Sequence, residues 1–103
     1  MALRGKQKSY LRSQAHHLNP IFQVGKGGVN DAMIHQIGEA LEKRELIKVS
    51  LLQNTDETPE EVAGILEQAL KCQVVQTIGK ILVVYKPSAT DKYRKISLEV
   101  NKI

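Results

Sequence analysis

The spacing of apolar residues along the chain predicts three helices and four strands. Stretches with apolar residues three or four positions apart indicate amphipathic helices, and short β-branched runs between them indicate strands. The predicted order is helix, strand, helix, strand, helix, strand, strand. The apolar residues of the three helices are Tyr10, Leu11, Ala15 and Leu18; Ile34, Ile37 and Leu41; and Val62, Ile65, Leu66, Ala69 and Leu70. The strands are predicted at 21–24, 46–52, 74–78 and 81–85.

Local signals mark the ends of these helices. Asn19-Pro20 predicts the end of the first, because the residue before a proline avoids helical geometry. Asn30 is a preferred N-cap for the second helix. Thr58 caps the third, Pro59 suits its first position, and Glu61 can complete a capping box.

The order of the elements predicts the topology. Two β-α-β units give parallel strands with right-handed crossovers, and the Gly79-Lys80 pair predicts a type II′ hairpin that adds one antiparallel strand. The fold class is therefore α/β, a two-layer α-β-α-β-α-β-β sandwich with a four-stranded mixed sheet. If each helix runs antiparallel to the strand it joins, four features share one end of the sheet. They are the start of the first helix, the Gly25–Gly28 loop, the loop before Thr58 and the Gly79-Lys80 turn.

Length and composition bound the class of protein. The 103 residues suit one domain, which we place at 1–100, with 101–103 as the C-terminal end. The longest apolar run, at 81–85, is too short to cross a membrane, and no apolar stretch follows the basic start as in a secretory signal. The single cysteine, Cys72, cannot form an internal disulfide. We expect a cytoplasmic monomer with no membrane partner.

The charge is divided unevenly along the chain. The net charge of +4 consists of +5 over 1–28, −5 over 29–71 and +4 over 72–103. A basic surface is typical of a protein that binds a polyanion, although a face kept charged for solubility is a common alternative. The cations of the first segment are Arg4, Lys6, Lys8, Arg12 and Lys26.

The Gly25-Lys26-Gly27-Gly28 loop is the main candidate site. It lies between a predicted strand and the start of a helix, where free backbone N–H groups favour an anion. The alternative is a tight turn that needs glycine for positive φ. Two nucleotide-binding motifs are excluded: Asn30 replaces the third glycine of a dinucleotide fingerprint, and neither Gly-Lys pair is followed by Ser or Thr as in a P-loop.

No other arrangement of residues supports an enzyme. The candidates for metal ligation or nucleophilic catalysis are His16, His17, His35 and Cys72, and their spacing matches neither a metal site nor a catalytic triad. We therefore expect no catalytic residues, metal, cofactor or small-molecule substrate. Aromatic residues make up only 4% of the chain, so any RNA bases would be stacked weakly.

Several segments together resemble a known family, the CRM domain in its stand-alone bacterial YhbY type. The resemblance covers about residues 3–100. It is carried by Lys6-Gln7-Lys8, Ala15-His16-His17-Leu18-Asn19-Pro20, Gly25–Gly28, Glu45-Leu46-Ile47-Lys48-Val49, and 75–87. It implies a fold like the C-terminal domain of bacterial translation initiation factor three, with three parallel strands and one antiparallel. It also implies a GxxG loop like that of KH domains, RNA binding, and association with precursors of the large ribosomal subunit.

The resemblance and the charge pattern together give a set of predicted RNA contacts. The family's GxxG loop falls on Gly25–Gly28, where Gly27 departs from the pattern as an additional glycine. The predicted RNA-binding residues are Arg4, Lys6, Lys8, Arg12, Gly25, Lys26, Gly27, Gly28 and Lys80. The leading hypothesis is a non-enzymatic protein that binds ribosomal RNA during large-subunit assembly. The alternative is an adaptor that binds assembling ribosomes through acidic residues of the middle segment, Glu39, Glu42 and Glu45.

Overall fold

The computed structural model describes residues 3–103 and confirms the predicted order of elements. The elements are α1 (Gly5–Ala15), β1 (Pro20–Val24), α2 (Asp31–Arg44), β2 (Leu46–Leu51), α3 (Pro59–Leu70), β3 (Gln73–Ile78), β4 (Ile81–Tyr85), a 3-10 turn (Asp91–Tyr93) and α4 (Ile96–Val100). The predicted domain range also includes Met1 and Ala2, which lie outside the described residues.

The four strands form one mixed sheet in the order β1-β2-β4-β3. Strands β1 and β2 are parallel, and β4 is antiparallel to both β2 and β3. Three strands therefore share one direction and one opposes them, which confirms the predicted α/β class and mixed sheet. The hairpin between β3 and β4 turns at Gly79, whose φ is +57°, as the first central residue of a type II′ turn requires.

The predicted helix caps are formed. The Asn30 side chain accepts a hydrogen bond from the Met33 N–H at 2.9 Å. The Thr58 hydroxyl accepts from the Glu61 N–H at 3.2 Å, while the Glu61 carboxylate accepts from the Thr58 N–H at 2.9 Å. Each cap is worth about 1 kcal/mol, because it satisfies an N–H group that has no partner within the helix.

Helices α2 and α3 cover one face of the sheet and enclose the larger core. Its buried residues are Val24, Ile37, Leu41, Ile47, Val49, Leu51, Val62, Leu66, Cys72, Leu82 and Val84. Two residues predicted in the apolar stripe of α3, Ile65 and Ala69, are exposed. That part of the prediction is wrong because α3 contacts α2, β3 and β4 through the side that carries Val62 and Leu66.

Helices α1 and α4 cover part of the opposite face, which adds a partial third layer to the predicted sandwich. The smaller core there consists of Leu11, Ala15, Leu46, Val75, Val83, Tyr85 and Val100. Helix α1 ends at Ala15, before the predicted Asn19-Pro20 boundary, and Leu18 packs against this core from the connecting turn.

The carboxylate of Glu45, immediately before β2, holds the C-terminal segment on the sheet. Glu45 is fully buried and adopts a positive φ of 66°. Its two oxygens accept hydrogen bonds from the backbone N–H groups of Ser88 (2.8 Å), Lys95 (2.9 Å) and Ser97 (3.1 Å). Burial by itself raises the pKa of Glu45, but hydrogen bonding by Ser97, Ser88 and Lys95 outweighs it and the pKa is lowered from its usual value of 4.5. The carboxylate is therefore ionised at neutral pH.

We expect Glu45→Ala to lower the free energy of unfolding at pH 7 by at least about 3 kcal/mol, since three backbone N–H groups lose an ionised acceptor. Because the pKa of Glu45 is lowered on folding, this contribution is complete above pH 4.5 and is lost as the pH falls below that value. Urea unfolding of both proteins between pH 7 and pH 3 measures it. The control is Glu99→Ala, an exposed residue of α4, which should change stability by less than about 0.5 kcal/mol. Equal losses in the two variants would contradict this role of Glu45.

Candidate nucleic-acid interface

Three loops meet at the end of the sheet where the parallel strands terminate. They are Gly25–Gly28 after β1, residues 52–57 after β2, and the Gly79-Lys80 turn after β3. Backbone hydrogen bonds join this end together, from the Leu52 N–H to the Val24 carbonyl at 2.8 Å and from the Leu51 N–H to the Lys80 carbonyl at 2.7 Å. Lys26 and Lys80 therefore lie at the same end of the sheet, as the topology predicts.

The glycine loop, Gly25–Gly28, is a tight turn that depends on its glycines. The Gly28 N–H donates to the Gly25 carbonyl at 3.0 Å. Gly27 and Gly28 have φ values of +94° and +68°, a region that side-chain-bearing residues rarely adopt. Lys26 and Gly27 are exposed at the tip. The turn interpretation is thus correct, and the tip remains open to an anion.

The inner side of the glycine loop already contains a carboxylate of the protein. Glu57 Oε1 accepts a hydrogen bond from the Val29 N–H at 2.8 Å, whereas Glu57 Oε2 is buried with no hydrogen-bond partner. A Cβ atom at Gly28 would overlap Glu57 Oε1. The N–H group of Val29, just before the N-cap of α2, is therefore already satisfied, and an external phosphate has access to the outer side of the loop, at Lys26 and Gly27.

The first turn of α1 contacts the C-terminal segment. The Arg4 guanidinium donates to the backbone carbonyl of Ile103, and the Gln7 amide donates to the Val100 carbonyl at 3.0 Å. Lys6 lies beside Arg4 and Ile103. Helix α1 is joined to the sheet at one end only, and it packs against β2, β4 and β3. The expected grouping of its first turn with the glycine loop stays a prediction.

Two other cations of α1 face the sheet. Lys8 and Arg12 are one helical turn apart and share a side of the helix. The Arg12 guanidinium Nε lies 3.5 Å from the Val75 carbonyl of β3, and Lys8 is half-buried. The predicted cations therefore form two groups, with Arg4 and Lys6 near the C-terminus and Lys8 and Arg12 over the sheet.

The predicted RNA-binding cations have no carboxylate neighbours at ion-pair distance. Within residues 3–103 the ion pairs are His35–Glu39 at 3.2 Å and Lys102–Glu99 at 3.4 Å, both on the surface. Lysine and arginine side chains without an acidic partner keep their full charge for an external anion.

The acidic docking surface predicted for the adaptor alternative is not formed. Glu45 is buried, and Glu42 is engaged by the Ala89 N–H at 3.0 Å and the Thr90 hydroxyl at 2.5 Å. The Thr90 hydroxyl and then the Ala89 N–H lower the pKa of Glu42 from 4.5 to about 2. Of the three predicted residues only Glu39 is exposed. The prediction that all three form a common docking surface is therefore wrong.

The candidate nucleophile Cys72 is a packed core residue, whereas His16, His17 and His35 are exposed on the surface. Cys72 is buried, its thiol lies 3.3 Å from the Leu66 carbonyl, and burial raises its pKa to about 11. Among residues 3–103 there is no group of three or more His, Cys, Asp or Glu side chains that could hold a metal ion. None of the described helices is long and apolar enough to span a membrane.

Comparison with known proteins identifies the family. The model of the CRS1/YhbY (CRM) domain matches residues 3–86. The chain belongs to the CRS1/YhbY (CRM) domain family. It is 63% identical over 90 residues to the probable RNA-binding protein YqeI of Bacillus subtilis, an alignment that covers 87% of this chain and 94% of that protein. It is 40% identical over 90 residues to an RNA-binding protein of Haemophilus influenzae, covering 87% and 91% of the two chains.

A solved structure supports the CRM fold. The solution structure of a hypothetical Staphylococcus aureus protein, described as a candidate RNA-binding protein, is 50% identical to this chain and superimposes with a TM-score of 0.74. The match covers 91% of this chain and 98% of that protein. The relatives bear the names of RNA-binding proteins and not of enzymes.

Two glycines test the part that Glu57 plays in the glycine loop of this CRM domain. Gly28→Ala should lower the free energy of unfolding by clearly more than Gly79→Ala does. Both positions have positive φ, which costs an alanine about 1–2 kcal/mol, but a Cβ at Gly79 meets no atom within 4 Å. Thermal unfolding of the two variants gives the comparison. Equal destabilisation would show that Glu57 moves aside without cost.

Proposed function

We propose that this protein is a non-enzymatic RNA-binding protein that binds ribosomal RNA in precursors of the large ribosomal subunit and acts in their assembly. The observation that carries the RNA-binding part is the exposed Lys26-Gly27 tip of the glycine loop, which shares one end of the sheet with Lys80. Membership of the CRM family and the names of the relatives support the same class of partner. The ribosomal part follows from the family resemblance of the sequence.

The glycine loop, Lys80 and the cations of α1 would contact phosphates. Backbone contacts position an RNA but carry little sequence information, so affinity should depend strongly on salt. If about five phosphates are neutralised, affinity falls a few hundred-fold between ~50 and ~200 mM salt. The described structure offers no aromatic side chain on the glycine loop, which favours recognition of backbone and shape.

Charge reversal at Lys26 tests the loop. Gly27 has a φ of +94°, so a substitution there would add backbone strain, whereas Lys26 is exposed and can be changed without affecting the turn. We expect Lys26→Glu to weaken binding to a structured ribosomal RNA fragment about tenfold at ~100 mM salt, and to lower the slope of log affinity against log salt by about 1. Fluorescence anisotropy measures both quantities.

Lys71→Glu is the matched control for this charge change. Lys71 is exposed at the C-terminal end of α3, which leads into the opposite end of the sheet. It should retain affinity to within about twofold, while thermal unfolding verifies that both variants are folded. Equal affinities of Lys26→Glu and the original protein would remove the loop from the interface.

The ribosomal part has its own test in cells. Ultraviolet crosslinking followed by sequencing of the attached RNA should recover large-subunit ribosomal RNA, with recovery reduced by Lys26→Glu and not by Lys71→Glu. Recovery of messenger or transfer RNA with the same dependence on Lys26 would support RNA binding and reject the ribosomal assignment.

A further inference from the structure

On the face of the sheet that carries α1, side chains form rows that cross the strands. Strand register defines them, because paired residues on neighbouring strands point to the same side. The row farthest from the glycine loop includes Leu46 and Tyr85, and the next contains Lys48, Val83 and Gln76. The row nearest the loop crosses all four strands and consists of Gln23, Ser50, Ile81 and Ile78. We call this last set the open row.

Helices α1 and α4 do not cover the open row. Leu46, Tyr85 and Val83 are buried in the smaller core beneath these helices. In the open row, by contrast, Gln23 is exposed and Ile78 is 53% exposed. Ser50 and Ile81, on the two central strands, are only half-buried. A residue on a central strand is normally buried when a helix lies over it. Because Ser50 and Ile81 are not, this part of the sheet has no covering layer.

The open row connects the two parts of the candidate interface. Gln23 lies at its β1 end, two residues before Gly25 of the glycine loop. At the β3 end, Ile78 and Ile81 flank the hairpin turn that carries Lys80. The row is therefore a strip of exposed sheet that runs from one proposed phosphate contact to the other.

The charge around the open row is positive. Lys48 lies in the neighbouring row and is half-buried, and Lys8 and Arg12 project from the side of α1 that contacts the sheet. None of the residues in the two rows is acidic, and no ion pair in residues 3–103 involves these three cations. An exposed strip with unpaired cations on its border is complementary to a polyanion.

We propose that the open row binds a single-stranded segment of RNA that crosses the sheet from the glycine loop to the Gly79-Lys80 turn. The inference rests on the proposed function and specifies which form of RNA occupies the surface. Four strands give room for about two or three nucleotides. Lys48 contacts a phosphate, the Gln23 amide and Ser50 hydroxyl bond to base edges, and Ile78 and Ile81 provide apolar contact for the bases.

The side chains of the row favour a single strand over a duplex. Amide and hydroxyl groups beside aliphatic side chains can contact base edges and faces, which are accessible only where bases are unpaired. An RNA duplex presents phosphates and 2′-hydroxyls to a protein, and these would be met by the protruding loops and not by the floor of the sheet. Because Ile78 and Ile81 replace the aromatic residues of stacking platforms, base selectivity should be modest.

The experiment compares two substitutions that add the same charge to opposite faces of the sheet. Gln23→Glu adds a carboxylate to the open row. Thr77→Glu adds one to the other face, because exposed Thr77 pairs with Leu82, whose side chain lies in the core beneath α2 and α3. The probes are a single-stranded RNA of about eight nucleotides and an RNA hairpin with a fully paired stem.

Binding of the single strand should weaken about tenfold in Gln23→Glu and less than about twofold in Thr77→Glu, while the hairpin responds weakly to both. Lys48→Gln, which adds no charge, should reduce the salt slope for the single strand by about 0.7. If Lys26→Glu weakens binding but these variants leave the single strand unaffected, the open row is excluded and the proposed function stands. If the unmodified protein binds neither probe, both proposals fail.

Discussion

The buried carboxylate of Glu45 determines how the two faces of the sheet are covered. By accepting hydrogen bonds from Ser88, Lys95 and Ser97, it brings the C-terminal segment back over the start of β2 and the end of β4. Helix α4 then begins beside α1, and Val100 contributes to the smaller core. The family match ends at residue 86, so a residue within the matched domain holds a segment beyond it. The consequence is a second layer that covers only the part of the sheet farthest from the glycine loop.

Other carboxylates of the acidic middle segment also serve as internal hydrogen-bond acceptors. Glu42, Glu45, Glu57, Glu61 and Glu67 each accept a hydrogen bond from a backbone N–H group. These hydrogen bonds stabilise helix ends and loop connections inside the protein. The cations of the first and last segments have few such internal partners. The cations are therefore more available to an external anion than these five carboxylates are to an external cation.

Local signals predicted most of the fold, and long-range contacts account for what they missed. Asn30 and Thr58 identified helix starts because capping depends on residues only three positions apart. The burial of Glu45 could not be predicted, since its partners lie more than 40 residues away. The contacts of α1 with the C-terminal segment could not be predicted either, because a terminal helix with one connection is placed by its packing. For the site, the GxxG pattern located the loop, but only the folded structure brought Glu57 into it.

The placement of α1 bears on two interpretations of the polar residues in β2, that they keep this face soluble or that they contact a ligand. Lys48 and Ser50 alternate with buried Ile47, Val49 and Leu51, a pattern that alone predicts a strand with one face in water. Leu46, on the same face as Lys48, is nevertheless buried beneath the second layer. The face is thus half covered, and its uncovered half adjoins the glycine loop. Polar and cationic side chains at the edge of the covering layer lie beside the exposed Ile78 and the half-buried Ile81. This combination supports the proposed occupant, because solubility does not require apolar side chains to stay uncovered. The open row and the glycine loop are therefore most simply understood as parts of one continuous surface.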